Sequence, residues 1–212
     1  MFKESLYPKT EQVLNKIKDL SLIQNYYLAG GTALALQLGH RKSIDLDFFT
    51  DNFPKIETLI QELSKFNPQI ISQNENTLDV LIDGVKVSFL EYKYKMNSPL
   101  KTFEGVNVAD IIDIACMKLT AVSSRGSKKD FIDLYFILQQ YPLEYLLEQF
   151  KSKYVGVQYS IKHILKSLIY FEDAEQDPEV DYLNGEGVSW DLVKSKIVEI
   201  TEDYLKGIQS EI

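Results

Sequence analysis

Residues 26–49, YYLAGGTALALQLGHRKSIDLDFF, decide the fold. Tyr26 to Ala29 is a short apolar strand, Gly30-Gly31 a turn, Thr32 to Leu38 an alanine- and leucine-rich helix, and Ser43 to Phe49 a second strand. In that second strand Ile44, Leu46 and Phe48 alternate with Asp45 and Asp47, the period of a half-buried strand, so the two carboxylates point the same way. Residues two apart on a strand lie about 7 Å from one another along the backbone. Two carboxylates at that spacing can share one hard cation such as Mg2+, which prefers oxygen ligands and brings phosphates with it. A solvated strand face would carry the same D-x-D pattern, and the double glycine is what separates the two readings. Between strand and helix it lets a ligand approach the backbone, and it leaves N–H groups at a helix N-terminus, where phosphate binds. Gly30, Gly31 and Thr32 are therefore candidate phosphate binders, with Asp45 and Asp47 as candidate metal ligands. The spacing matches neither a Walker loop, since no Gly-Lys-Ser/Thr follows, nor a dinucleotide fingerprint.

Composition narrows the class. The chain has 212 residues, 45% of them hydrophobic and 12% aromatic, enough for a core in one large domain or two small ones. Its one cysteine, Cys116, cannot form an internal disulfide, and no signal segment or run of 18 apolar residues is present, so a cytoplasmic protein without membrane association is expected. The net charge of −8 repels nucleic acid, so a polynucleotide partner needs a local basic patch.

GGT at 30–32 followed by DLD at 45–47 resembles the first motif of the polymerase-β-like nucleotidyltransferases. Within that superfamily LAGGTALALQLGHRKSIDLDFF is similar to the AbiEii/AbiGii nucleotidyltransferase toxins. The resemblance implies an α/β (α+β) polymerase-β-like fold with a small mixed sheet and a helical C-terminal half that closes the cleft. It also implies an NTP as substrate, Mg2+ as cofactor, and RNA, tRNA included, as acceptor. The protein would then be the toxin of a toxin–antitoxin pair, with a cognate antitoxin as partner. We divide the chain at 1–106, the nucleotidyltransferase core, and 107–212, the helical region.

The rest of the chain supplies supports and further candidates. Leu6, Val13, Leu14, Ile17, Leu20 and Ile23 suggest an N-terminal helix over the sheet. His40-Arg41-Lys42 could reach a triphosphate, Arg41 above all, or be ordinary surface charges. Ile56 to Phe66 has helical period, whereas Thr77 to Asp83 and Val85 to Tyr94 alternate about an Asp83-Gly84 hairpin signal and predict two antiparallel strands. The superfamily takes a third metal carboxylate from such a strand. Ser88 stands where an acid is expected, with Asp79 and Glu91 as alternatives.

Within Asn107 to Arg125, Asp110 can cap a helix with Asp113 in its first turn, where negative charge suits the dipole, and that helix places Lys118 among Ile111, Ile114, Ala115 and Val122. A lysine there either meets an anion or snorkels out along its stem. Arg125 shares the face if the helix persists, and is a candidate substrate contact. Asp113 to Lys118 resembles the family's third motif, whose lysine is associated with nucleotide binding. Gly126-Ser127 ends the helix, and the next one starts with Asp130 and Asp133 at i and i+3, helix-start positions where a carboxylate is often a cap. RGSKKDFIDLYF resembles the fourth motif, in which an aspartate is required for activity; the resemblance gives that role to Asp130 first and Asp133 second. Beyond Leu143 the pattern is helical, interrupted by an acidic loop from Glu172 to Gly187. His163 has no second histidine or cysteine near it in sequence, so no zinc site is expected. Two rival readings are a nucleotide-binding protein without turnover and an enzyme acting on a small hydroxylated molecule.

Overall fold

The structure is a computed structural model that describes residues 1–183, 185 and 187–210; Asn184 and Glu186, within the loop expected from Glu172 to Gly187, lie outside the described residues. The chain divides into two compact units, Met1–Asp110 and Ile111–Ile212.

The first unit is built on one seven-stranded mixed sheet. Its strands are β1 (Tyr27–Ala29), β2 (Leu46–Thr50), β3 (Gln69–Asn74), β4 (Thr77–Ile82), β5 (Val85–Glu91), β6 (Lys101–Phe103) and β7 (Val106–Val108), in the order β3-β4-β5-β2-β1-β7-β6. The pairs β1–β2, β3–β4, β4–β5 and β6–β7 are antiparallel, whereas β1–β7 and β2–β5 are parallel. The expected hairpin forms at Asp83-Gly84, with φ of 51° and 83°, the left-handed pair that a tight hairpin turn requires. β3, β6 and β7 carry little signal in the sequence, since β3 is exposed throughout and β6 and β7 span three residues each.

Register fixes which side chains share a face, because the side-chain period is two. Leu46, Phe48, Leu78, Val80, Ile82, Val85, Val87 and Phe89 all point into the core. There Phe89 meets Phe48 at 5.6 Å and Tyr26 at 5.4 Å between ring centroids, arrangements that aromatic quadrupoles favour. Three helices, α1 (Pro8–Ile17), α2 (Gly30–Leu38) and α3 (Ile56–Leu63), complete this unit. α2 packs on β1 and β2, and α1 on β5. The opposite sheet face carries Asp47, Ser88 and Asp79 in one continuous cross-strand row, through the pairs Asp47↔Ser88 and Asp79↔Ser88.

The second unit is helical: α4 (Ile111–Arg125), α5 (Lys128–Leu138), α6 (Leu143–Lys153), α7 (Ile161–Leu168) and α8 (Trp190–Ser210). α4 packs against α5, α6 and α7, and α8 packs against the same three. Contact on several sides explains why α4 is apolar almost all round, with Ile111, Ile112, Ile114, Ala115, Cys116, Leu119 and Val122 all buried.

Candidate active site

In the first unit the site grows from the junction of β1 and α2. Gly30 opens the helix with φ of 69°, a conformation that costs any residue with a Cβ about 1–2 kcal/mol. A Cβ there would also stand 2.7 Å from Asp47 Oδ2. Glycine is thus required twice over, and its absent side chain is what lets the carboxylate lie against the first turn of α2. Gly31 plays the same part for Arg41, whose guanidinium fills the space a side chain at 31 would need. Arg41 is 5% exposed and donates from Nη1 to the Lys42 carbonyl at 3.1 Å. A guanidinium and the partial positive charge of a helix N-terminus converge at this point, with the Asp47 carboxylate against the preceding glycine.

The Thr32 side chain has a structural task of its own. It is 1% exposed, its Oγ1 lies 2.7 Å from Ser43 Oγ, and it also donates to the Asp45 carbonyl. Its hydroxyl ties the first turn of α2 to the chain entering β2, and so sets where Asp45 stands. Asp45 and Asp47 are both half-buried, in phase with each other and out of phase with buried Leu46 and Phe48. The alternation begins later than expected: Ile44 is 53% exposed and β2 starts at Leu46, because the preceding backbone is held from elsewhere. Thr10 Oγ1 donates to the Ile44 carbonyl at 2.8 Å, and Ser43 bridges to Leu6. Of the other two cations expected here, Lys42 holds its ammonium over the Tyr7 ring at 5.4 Å and His40 is buried.

The third-carboxylate alternatives separate by parity. Glu91 pairs with Thr50, which points to the core side of β2, so Glu91 belongs to the face opposite Asp47, and Lys93 holds it at 3.1 Å. Asp79 belongs to Asp47's face. Burial would push its carboxyl up, but hydrogen bonds from Ser88 and Ser72 and the nearby Lys86 outweigh burial and hold it low. Ser88 is thus a hydroxyl in Asp47's row that leans on a carboxylate one strand further out.

The second unit gathers the other candidates into a buried cluster. Lys118 is 6% exposed, and its ammonium lies 2.7 Å from Asp130 Oδ1 and 2.6 Å from Asp133 Oδ2. The anion anticipated for this lysine is therefore supplied by α5 itself. The other oxygen of Asp130 accepts from Ser127 Oγ at 2.7 Å and from the Ser127 N–H at 3.4 Å, forming a capping box with Asp130 at the third position of α5. Burial favours the neutral acid, but the Lys118 charge and the bonds from Lys118 and Ser127 prevail, so the Asp130 carboxyl stays below its ordinary range. Asp133 is fully buried, and its internal partner takes the place of the substrate contact expected for it.

Arg125 ends α4 and stands exposed beside a cleft of about 350 Å3 that His163, Lys166 and Tyr170 also line. Asp113, read as a helix-start charge, pairs instead with Lys153 of α6 at 2.7 Å, both side chains fully buried. Lys153 was missed because a lysine in the last turn of an amphipathic helix looks like an ordinary surface cation. Among the described residues no cluster of three or more His, Cys, Asp or Glu could hold a metal ion, and no helix is long and apolar enough to cross a membrane.

This geometry has counterparts. The family model described as "Nucleotidyl transferase AbiEii toxin, Type IV TA system" matches residues 12–95 and 78–203. The chain is 42% identical over 182 residues to an uncharacterized protein of Aquifex aeolicus, a match that covers 81% of this chain and 86% of that one. A protein of H. pylori assigned to the nucleotidyltransferases shares the fold with a TM-score of 0.56 at 17% identity, over 96% of this chain and 95% of that chain. MenT4, a nucleotidyltransferase toxin of Mycobacterium tuberculosis, does so with a TM-score of 0.53 at 15% identity, over 90% of this chain and 82% of its own. The fold is that of the polymerase-β-like nucleotidyltransferases. The chain belongs to the AbiEii nucleotidyltransferase toxin family, and it is a transferase.

Proposed function

We propose that the protein transfers a nucleoside monophosphate from an NTP to a hydroxyl of RNA, tRNA being one candidate, and acts in the cytoplasm as the toxin of a toxin–antitoxin pair. The observation that carries this reading is the 2.7 Å between a Cβ placed at Gly30 and Asp47 Oδ2, which puts a carboxylate directly against a helix start bared by two glycines. Hard oxygen donors beside a phosphate cradle fit Mg2+, and Asp45 and Asp47 would hold it. When bound, the ion would neutralise phosphate charge and help align the acceptor. The chain's own groups do the rest. Gly30 and Gly31 donate N–H groups to the phosphates, and the Arg41 guanidinium adds charge-assisted hydrogen bonds. Thr32 fixes Asp45, and Asp79, through Ser88, extends the acidic row.

In the second unit, Asp130 has one oxygen bonded to Lys118 and the other to Ser127, which favours a structural role over that of a general base. Lys118, Asp130 and Asp133 are assigned the role of fixing α4 against α5.

The test incubates the protein with each α-phosphate-labelled NTP, Mg2+ and total cellular RNA, and reads label on a gel. Label on an RNA band that vanishes on chelation supports the reading. Label only on small molecules would replace RNA by a small acceptor, and no transfer to anything would favour a nucleotide-binding protein without turnover.

A further inference from the structure

We infer that the sheet face beside Asp47 carries a nucleobase-binding platform, made of Tyr27, Phe49, Tyr92 and Tyr94 and edged by Lys93 and Lys95. Phe49 follows Asp47 by two residues on the same face, about 7 Å along the strand, and pairs with Tyr27 in register. The two rings stack, 5.9 Å between centroids and 22° between planes. Tyr92 meets Phe49 edge-on at 5.7 Å, and Tyr94 meets Tyr92 at 5.0 Å. The series ends in a cleft of about 390 Å3 lined by Tyr27, Tyr92, Tyr94, Lys95, Asn107 and Gln24, a volume within the range of small-ligand sites.

Three features select a nucleobase as the occupant. Aromatic rings in series offer π-faces on which any base stacks. Tyr94 is 39% exposed, so part of its ring is open to an incoming base. Finally, Lys93 and Lys95 line the same cleft together with Asp51, so an ammonium stands where the phosphodiester of a stacked nucleotide would pass. The platform rests on the reading of Asp45 and Asp47 as the transfer centre, since the base belongs either to the NTP or to the RNA end presented there.

The experiment measures binding rather than turnover, so that the two readings fail separately. Short single-stranded RNA and each free NTP are titrated against wild type, Tyr94→Ala, Tyr94→Trp and Asp47→Asn, with unfolding temperatures recorded for all four. Loss of one stacked base weakens binding by between about five- and a hundredfold. Tyr94→Ala is expected to lose that much for one ligand, Tyr94→Trp to retain it, and the melting temperatures of both to stay near wild type. If the loss falls on RNA, the platform holds the acceptor end; if it falls on NTP, it holds the incoming base. Lys95→Gln should reduce the slope of log K against log salt by about one for RNA. Unchanged affinity of Tyr94→Ala for both ligands overturns the proposal, even if labelled transfer by the wild type is observed. Conversely, a Tyr94 effect on binding by a protein that transfers nothing would preserve the platform and sink the transfer centre.

Discussion

The two units treat charge in opposite ways. In the first, Asp45 and Asp47 are half-buried on a sheet face, set against a helix start whose side chains have been reduced to hydrogen. In the second, Lys118, Asp130 and Asp133 close on one another at 2.6–2.7 Å with almost no exposure. The sequence patterns DLD and KDFID look equally chemical. What separates them is their setting: the first group stands half-buried beside a helix start bared by two glycines, whereas the second is closed into the interior by its own ion pairs. A charged motif points to chemistry when backbone N–H groups and glycine leave room beside it, and to architecture when long side chains from a neighbouring helix enclose it.

The largest expected effect lies in the first unit. Asp47→Asn should cut labelled transfer by at least about a hundredfold, the scale for removing one electrostatic contact to a transition state, and leave the melting temperature nearly unchanged. Gly30→Ala should lose activity as well, with added instability from its left-handed backbone. Activity near wild type in Asp47→Asn would break the comparison, because the open face would then be no more chemical than the buried cluster.

The second unit should answer to stability instead. Lys118→Met strands two aspartates in the interior, and breaking a buried ion pair from one side costs about 3–5 kcal/mol. Thermal unfolding should show that loss directly. The combination Lys118→Met/Asp130→Asn/Asp133→Asn should recover part of it, because no uncompensated charge then remains. A Lys118→Met protein as stable as wild type would return the lysine to the list of nucleotide contacts.

Much of the first unit was legible in the sequence, and the reason is local. The GGT turn, the DLD strand and the hairpin at Asp83-Gly84 are each specified within a few residues, by backbone requirements that only certain residue types meet. The Asp47–Ser88–Asp79 row was not, since it depends on β2 and β5 pairing in parallel across about forty positions. The fate of Thr32 shows the same limit. That the Thr32 hydroxyl ties the helix start to the Asp45 carbonyl is visible only once the two are folded together. In the second unit, helix spacing put Lys118 on an apolar side, as found, but no spacing rule could tell a waiting phosphate from two aspartates on the next helix. Lys153 was invisible for that reason too, as its partner Asp113 sits forty residues away.

The smallest effect is the one that separates the Asp130 carboxylate from a general base. Ser127→Ala removes the hydroxyl bonded to Asp130 Oδ2 and half of the capping box, which should cost about 1 kcal/mol at neutral pH. The pH dependence follows from the direction of the Asp130 shift. Its carboxyl is held below the unfolded value of about 3.9. The stabilisation is therefore complete above that value and is lost as pH falls through the lower, folded one. The difference between wild type and Ser127→Ala should accordingly be constant from neutrality down to about pH 5 and shrink only in stronger acid, as the carboxylate that Ser127 serves becomes protonated. Denaturant unfolding across that range measures it. A general base raised toward neutrality would instead make the difference vary between pH 6 and 8, and that result would move Asp130 out of the architectural cluster and back to the reaction.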